Sequence, residues 1–443
     1  MGSKIKFQSP TGMHDILPEL FPYYKKVEKV SEKIADFYDF RRVETPILEN
    51  AEIFKKGTGF SSDIVLKQMY SLRTKGGDFL TLRPEGTPSI VRAYLENGFE
   101  SLPKPINLWH FGPFFRYERP QAGRFRQFYQ VGFESLGSSD PIVDIIIIQI
   151  FLNLLKEIGF KNLIIEINSI GDFQCRPHYK RALTSYFRSY LKDLCPDCRE
   201  RFDRNPLRIL DCKNEKCQEI IASAPQTLDF LCKECHDHFK KVLEFLDYLE
   251  IPYELNPHLV RGLDYYTKTV FEIFIKKQEK KSKERIEEDE QDEQVGALVG
   301  GGRYDSLVRV LGGKDTPACG GALGVERVIE ILKKTSKIGK TETKAGEIFL
   351  AQIGESAKRE SLKILEEFRK AKIKHVGQAL SKDSLTAQFK IADKLNVKYV
   401  LILGQKELLN KEIILREMKT GKQKTIPLKK VVKEVIKVLK KEK

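Results

Sequence analysis

The chain has 443 residues, enough at roughly 150 residues per domain for about three domains with buried cores of their own. Lys and Arg total 77 against 62 Asp and Glu, a net charge of +15, and 41% of residues are hydrophobic, which excludes a disordered chain and marks a basic globular protein. The longest uncharged apolar stretch, Ile145 to Leu155, is well short of the about 20 residues a membrane span requires, so no membrane association is expected.

In chain order, the amino terminus lacks the apolar core of a secretory signal, and Lys6 stands where a myristoylation motif wants Ser or Thr. From Phe21 to Phe40, apolar residues at three- and four-residue intervals predict an amphipathic helix. Arg42 to Leu48 is short and β-rich, with Pro46 suiting a sheet edge or an interface. Aromatic and β-branched runs at Phe79–Leu82, Ile106–Phe115, Phe125–Phe133 and Phe271–Ile275 predict strands of one sheet; being far apart in sequence with few helices between, they suggest antiparallel pairing and an α+β class. A helical segment from about 171 to 255 carries cysteines, six of the chain's eight lying between 195 and 235, which read as reduced thiols of a cytoplasmic protein. It interrupts the strand pattern as an insertion, dividing a core of 1–170 and 256–332. Residues 276–294 hold a single apolar side chain, Ile286, and are expected to form a solvated loop. The polar run 333–346 reads as a linker. Beyond it, in 347–443, strand-like EIFLAQIG, IKHVGQAL and YVLILG alternate with helical patterns as in a small α/β domain, closed by a hairpin near Lys419-Thr420-Gly421 and a Lys-rich helix.

Five clusters can carry chemistry. Phe114 to Glu134 implies two strands around a Gln121-Ala122-Gly123 turn: Arg116 and Arg124 can grip phosphate as planar forks and Phe128 can stack on a base, though the same pattern suits a surface ribbon of cross-strand ion pairs. In Leu80 to Tyr94, Thr87-Pro88 suits a helix start, so capping alone accounts for Thr87, while Glu85 before it can meet a cationic ligand. In Leu259 to Phe274, Arg261-Gly262 allows close backbone approach; Tyr265 and Tyr266, if extended, point to opposite faces, leaving one for a pocket and one for the core. Three glycines precede Arg303, Tyr304 and Asp305 without the Lys-Ser or Lys-Thr of a Walker loop, which suits a ligand-facing backbone or a plain turn. Gly320 to Leu332 is a glycine-rich entry into a helix, where Arg327 adds charge to a terminus that favours anions.

The order and wording of these clusters resemble histidyl-tRNA synthetase, a class II aminoacyl-tRNA synthetase. TPILENAEIF (Thr45 to Phe54) resembles motif 1, FRYERPQAGRFRQF with YQVGFE motif 2, and GALGVERVIEIL motif 3, while LVRGLDYYT and GGGRYD are similar to the two histidine-specific signatures. The resemblance implies a class II antiparallel-sheet catalytic core, a carboxy-terminal α/β anticodon-binding domain, a homodimer joined through motif 1, and ATP-dependent ligation of L-histidine to tRNA(His) through histidyl-adenylate, with Mg2+ accompanying ATP. Carried over by position, Arg116 and Arg261 hold the α-phosphate and the reacting carboxylate, and Arg124 engages the outer phosphates. Phe128 and Arg327 cover the two faces of adenine. Glu85, Gly86, Thr87 and Gln130 receive the α-ammonium group. Glu134 with Tyr265 or Tyr266 reads the imidazole, Tyr304 closes the pocket, and Gln121 lies where the acceptor end of tRNA is read.

The family offers less guidance on the cysteines. Cys195-x-x-Cys198 with Cys232-x-x-Cys235 suggests a four-thiolate zinc site, with Cys212 and Cys217 as alternative or additional ligands and His236 and His238 as substitutes. Cys175 and Cys319 carry no pattern and read as small buried hydrophobes. Two rivals compete with the synthetase reading: a catalytically inactive synthetase-like regulatory subunit of a histidine-pathway enzyme, and a zinc-dependent nucleic-acid-binding module.

Overall fold

The computed structural model describes residues 7–60, 62–121, 123–276, 296–335, 347–374 and 376–440. The chain divides into two compact units, 1–336 and 337–443.

The first unit is built on an eight-stranded sheet, in the order Arg41–Arg42, Ile106–Phe115, Gln127–Leu136, Ala318–Gly324, Val299–Arg303, Thr267–Ile275, Leu163–Ser169 and Tyr253–Leu255. Its two outermost pairings are parallel and all the inner ones antiparallel. One face is covered by helices Phe21–Phe37, Ile142–Ile158 and Val325–Thr335. The helix Ile142–Ile158 is apolar almost all round, as burial on every side demands: Ile147, Ile148, Phe151, Leu154 and Leu155 are fully buried, with Phe151 edge-on to Phe133 of the sheet. The other face is left for the site.

Phe79–Leu82 departs from the expectation. It joins Leu48–Asn50 and Tyr70–Arg73 in a separate three-stranded sheet, pairing Leu82 with Leu48 on one side and Tyr70 on the other. An apolar run specifies a strand and leaves its partner open. The glycines before Arg303 do not form the plain turn considered for them: Val299–Arg303 is a central strand paired with Ala318–Gly324, which leads directly into helix Val325–Thr335.

The insertion, helices Arg176–Ser189, Pro196–Arg204, Glu215–Ala222 and Lys233–Tyr248, has a core of its own around Tyr179, Leu183, Phe187, Cys198, Ile209 and Cys217. Helix Val325–Thr335 runs three residues into the expected linker, the rest of which lies outside the described residues, as does 277–294 of the charged segment.

The second unit has a five-stranded sheet. Val376–Gln378, Ile348–Gln352 and Tyr399–Leu403 are parallel, and Glu412–Glu417 and Gln423–Pro427 extend it antiparallel through the expected hairpin. Helices Glu355–Lys370 and Val431–Lys440 enclose its core with Phe368, Val431 and Val435. Among the described residues no helix is long and apolar enough to cross a membrane.

Candidate active site

Residues directly opposite in antiparallel strands share a face. The register therefore places Leu108, His110 and Gly112 beside Glu134, Gly132 and Gln130, and these beside Gly320, Ala322 and Gly324. Two strands further on, Gly300 lies opposite Ala322 and Glu272 opposite Gly300. The open face is thus floored by glycine and alanine, with carboxylates at its sides. A Cβ on Gly320 would fall 1.7 Å from Glu134 Oε2, and one on Gly300 would fall 2.2 Å from Arg261 Nη2. Missing side chains make the cleft, a cavity of ≈ 380 Å³.

At one end two carboxylates are buried. Glu134 accepts from Thr87 Oγ1 at 2.7 Å and from Tyr304 Oη at 2.5 Å. Glu85 accepts from Tyr265 Oη at 2.7 Å, and its other oxygen is buried with no hydrogen-bond partner. Burial pushes Glu85 up to about 7 against the pull of Tyr265, Arg116 and Arg261. Burial likewise raises Glu134, to about 8, although Tyr304 and Thr87 pull down. Thr87 is therefore not the cap. Gly86 occupies the N-cap position of helix Thr87–Glu96 and Pro88 the first turn, which frees the Thr87 hydroxyl for Glu134.

Tyr265 and Tyr266 both line the cleft, rings 4.6 Å apart. The extended alternation assigned one of them to the core; the chain turns at Asp264-Tyr265, so alternation does not apply. Tyr304 stands behind Glu134 as its donor and is not a lining residue of the cleft. Its neighbour Arg303 is wholly buried and bonded to Asp144, Asp305, and the carbonyls of Ser138 and Asp140, so this signature arginine is structural.

The other end is cationic. Arg116 donates to Pro84 O at 2.9 Å and lies 5.3 Å from the Phe128 ring. Arg124 is half-exposed, 3.8 Å from Glu118. Arg327 enters from its helix and bonds the Ala297 carbonyl, next to Gly123 of the Gln121–Arg124 turn. Gln121 is exposed in that turn, its backbone bridged to Arg124. Arg261 joins the two ends: its guanidinium pairs with Glu272, covers Gly300 and lies 5.7 Å from the Tyr266 ring. Gly86, Thr87 and Gln130 are lining residues too.

Sequence reasoning missed His110, Glu118 and Glu272. A carboxylate at Glu272 within the apolar run VFEIF was the available signal. His110 is buried under Gly86 and Gly132, and burial beside Arg83 lowers it to about 3, so it is a neutral wall of the pocket.

The cysteines do not form the expected set. Cys195, Cys198, Cys212 and Cys217 converge in one group and Asp172, Cys175, Cys232 and Cys235 in another, the ligand atoms of each lying within 4.8 Å of one another. The two C-x-x-C pairs thus belong to different groups, because the chain between them folds back at Cys212 and Cys217. Cys175, which carried no pattern, is a member of the second. Neither histidine takes part: His236 is exposed beside Asp237, and buried His238 approaches Asp144 at 3.4 Å.

Residues 12–328 match the histidyl-tRNA synthetase family model, and 347–438 match the anticodon binding domain. The chain belongs to the histidyl-tRNA synthetase family. Its relatives include the histidine–tRNA ligases of Desulfitobacterium hafniense, 43% identical with 95% of this chain and 96% of the relative covered, and of Dehalococcoides mccartyi, 42% identical with 97% and 99% covered. The apo histidyl-tRNA synthetase structure from S. aureus superposes with a TM-score of 0.75 at 32% identity, covering 97% of this synthetase chain and 99% of that one. A Bacillus halodurans structure described as an ATP phosphoribosyltransferase regulatory subunit/histidyl-tRNA synthetase shares the fold, with a TM-score of 0.61 at 19% identity, covering 91% and 99%.

Proposed function

We propose that the protein ligates L-histidine to tRNA(His) in the cleft described above. A histidine carboxylate oxygen attacks the α-phosphorus of ATP, the bond to pyrophosphate breaks, and histidyl-adenylate forms. A terminal ribose hydroxyl of the tRNA then attacks the histidyl carbonyl and releases AMP. The first step is displacement at phosphorus, which needs positioning and a stabilised negative charge more than a nucleophilic side chain.

The observation that carries the reading is the unpartnered, buried oxygen of Glu85, beside the Glu134 carboxylate and across Arg261 from a cationic pocket. An α-ammonium group supplies the missing donor to Glu85, with Thr87 and Gln130 beside it. Glu134, fixed by Thr87 and Tyr304, faces the imidazole, and a side chain lacking a ring N-H there leaves buried polar atoms unpaired, which is the stronger form of discrimination. Arg261 and Arg116 bracket the reacting carboxylate and α-phosphate, Arg124 takes the outer phosphates, and Phe128 and Arg327 sandwich adenine. ATP enters as its magnesium complex, and Glu118 and Glu272 at that end of the cleft offer the oxygen ligands a hard dication accepts. Gln121 meets the acceptor end of tRNA. The exposed apolar residues Ile47, Leu48 and Leu72 on or beside the small motif 1 sheet support a homodimer through that surface.

Histidine-dependent exchange of pyrophosphate into ATP tests the reading. Glu134→Ala is expected to lose histidine activation far more than ATP affinity; equal losses reject its role. Absence of exchange in the unaltered protein overturns the whole proposal in favour of the inactive-subunit reading.

A further inference from the structure

The two thiol groups of the insertion have no part in the reaction above. Each C-x-x-C begins at the N-cap of a helix in nearly the same backbone conformation: Cys195 before Pro196–Arg204 at φ −63° and ψ 161°, Cys232 before Lys233–Tyr248 at φ −69° and ψ 164°. The second cysteine of each pair, Cys198 and Cys235, is wholly buried one turn inside. These are two copies of one local device, and a helix N-terminus favours the negative charge that a thiolate carries.

Each copy has found its own partners. The first meets Cys212 and Cys217, with Cys195 Sγ 3.8 Å from Cys212 Sγ. Four thiolates at about 2.3 Å from a tetrahedral zinc ion stand about 3.8 Å apart, so the spacing matches one ion and is too tight for an iron–sulfur cluster. Backbone N-H groups already point at the sulfurs: Cys195 N at Cys217 Sγ, 3.3 Å, and Asn214 N at Cys212 Sγ, 3.5 Å. The second copy meets Cys175 and Asp172. Cys232 N lies 3.0 Å from Cys175 Sγ, and the Asp172 carboxylate is oriented by the N-H groups of Gln174 and Cys175 at 2.8 and 3.2 Å. Core cysteines pack singly as small hydrophobes; two fourfold convergences, each with donors aimed at the ligand atoms, have the outer shell of a metal site.

We propose that the insertion binds two zinc ions, one at Cys195, Cys198, Cys212 and Cys217 and one at Asp172, Cys175, Cys232 and Cys235. Soft thiolates in tetrahedral array select zinc over the oxygen-loving divalent ions. The sites brace the active cleft from two sides. Cys212 is flanked by Asp211 and Lys213, both lining residues of the cleft. Cys175 precedes Arg176, whose guanidinium bonds the carbonyls of Tyr266 and Asp264 in the turn that presents Tyr265 and Tyr266. The assignment is independent of the aminoacylation reading, because its readout is metal content.

The test is native mass spectrometry and elemental analysis of the full chain after dialysis against a weak chelator, followed by stripping and titration with Co2+ as the spectroscopic probe. Two zinc ions per chain are expected, with two Co2+ taken up into tetrahedral thiolate sites. Cys195→Ser/Cys212→Ser and Cys175→Ser/Cys235→Ser should each retain one ion. Asp172→Asn should weaken only the second site, seen as earlier loss of one ion to a competing chelator. Should a double variant fail to fold, the stoichiometry and Co2+ spectrum of the unaltered chain still decide. No zinc with freely titrating thiols, or only one ion in the unaltered chain that both double variants lose, overturns the proposal.

Discussion

Glu85 and Glu134 are carboxyls in a place where ionisation is costly until a cation arrives. The folded Glu85 value of about 7 lies above the ordinary 4.5, so between those values the native state keeps a proton the unfolded chain has released, and stability falls as pH rises through that window. Glu85→Gln is therefore expected to raise the melting midpoint at pH 8 and leave it nearly unchanged at pH 5, while weakening histidine binding at both. Thermal unfolding with and without histidine checks this, and a midpoint shift of equal size at both pH values rejects the burial argument. The glycine floor makes a second demand. Gly320→Ala puts a methyl group into the Glu134 carboxylate, so kcat/KM for histidine should fall by at least about tenfold, or about 1.4 kcal/mol, while the dissociation constant of ATP moves by less than about threefold. Steady-state exchange and a nucleotide titration separate the two effects.

At the scale of elements, the antiparallel register and one buried ion pair hold the cleft in shape. Asp144, in the first turn of helix Ile142–Ile158, bonds Arg303 at 2.6 Å, with both side chains fully buried. Burial raises the Asp144 carboxyl, yet Arg303 and His238 outweigh it and hold it down to about 2. That contribution is present above the ordinary aspartate value of 3.8 and is lost as pH falls from there towards 2. Removing one partner strands the other in the core: Asp144→Ala should cost about 3–5 kcal/mol in urea unfolding, and a loss under about 1 kcal/mol would mean that water relieves Arg303. The apolar character of Ile145 to Leu155, interrupted by Gln149 and Asn153, was legible in the sequence, although no helix was assigned to it. The role of Arg303 was not, since nothing in GGGRYD says that the arginine points into the helical layer and the tyrosine towards Glu134.

For the whole molecule, the carboxy-terminal unit has its own sheet and its own core, and its sequence matches an anticodon binding domain. A protein ending at residue 336 should keep histidine-dependent pyrophosphate exchange within a few-fold and lose charging of tRNA. Comparison of the two assays checks the division of labour; loss of both activities would show that the catalytic unit depends on its neighbour. Charging by the full chain should also weaken steeply with added salt, because lysine and arginine contacts to phosphate release counterions.

Local pattern was enough for several conclusions. Periodicity defined helix Phe21–Phe37 to within a few residues, the alternation after the linker revealed the α/β unit, and the motifs carried the family. Those features depend on neighbours in the chain, through helix pitch, strand pleat and the chemistry of side chains named in order. Tertiary structure alone decided which thiols meet, that Phe79–Leu82 joins a different sheet, that both Tyr265 and Tyr266 reach one cleft, and that the Thr87 hydroxyl turns to Glu134. Partners of this kind are chosen by strand register and by burial summed over the whole unit, which no short window of sequence contains.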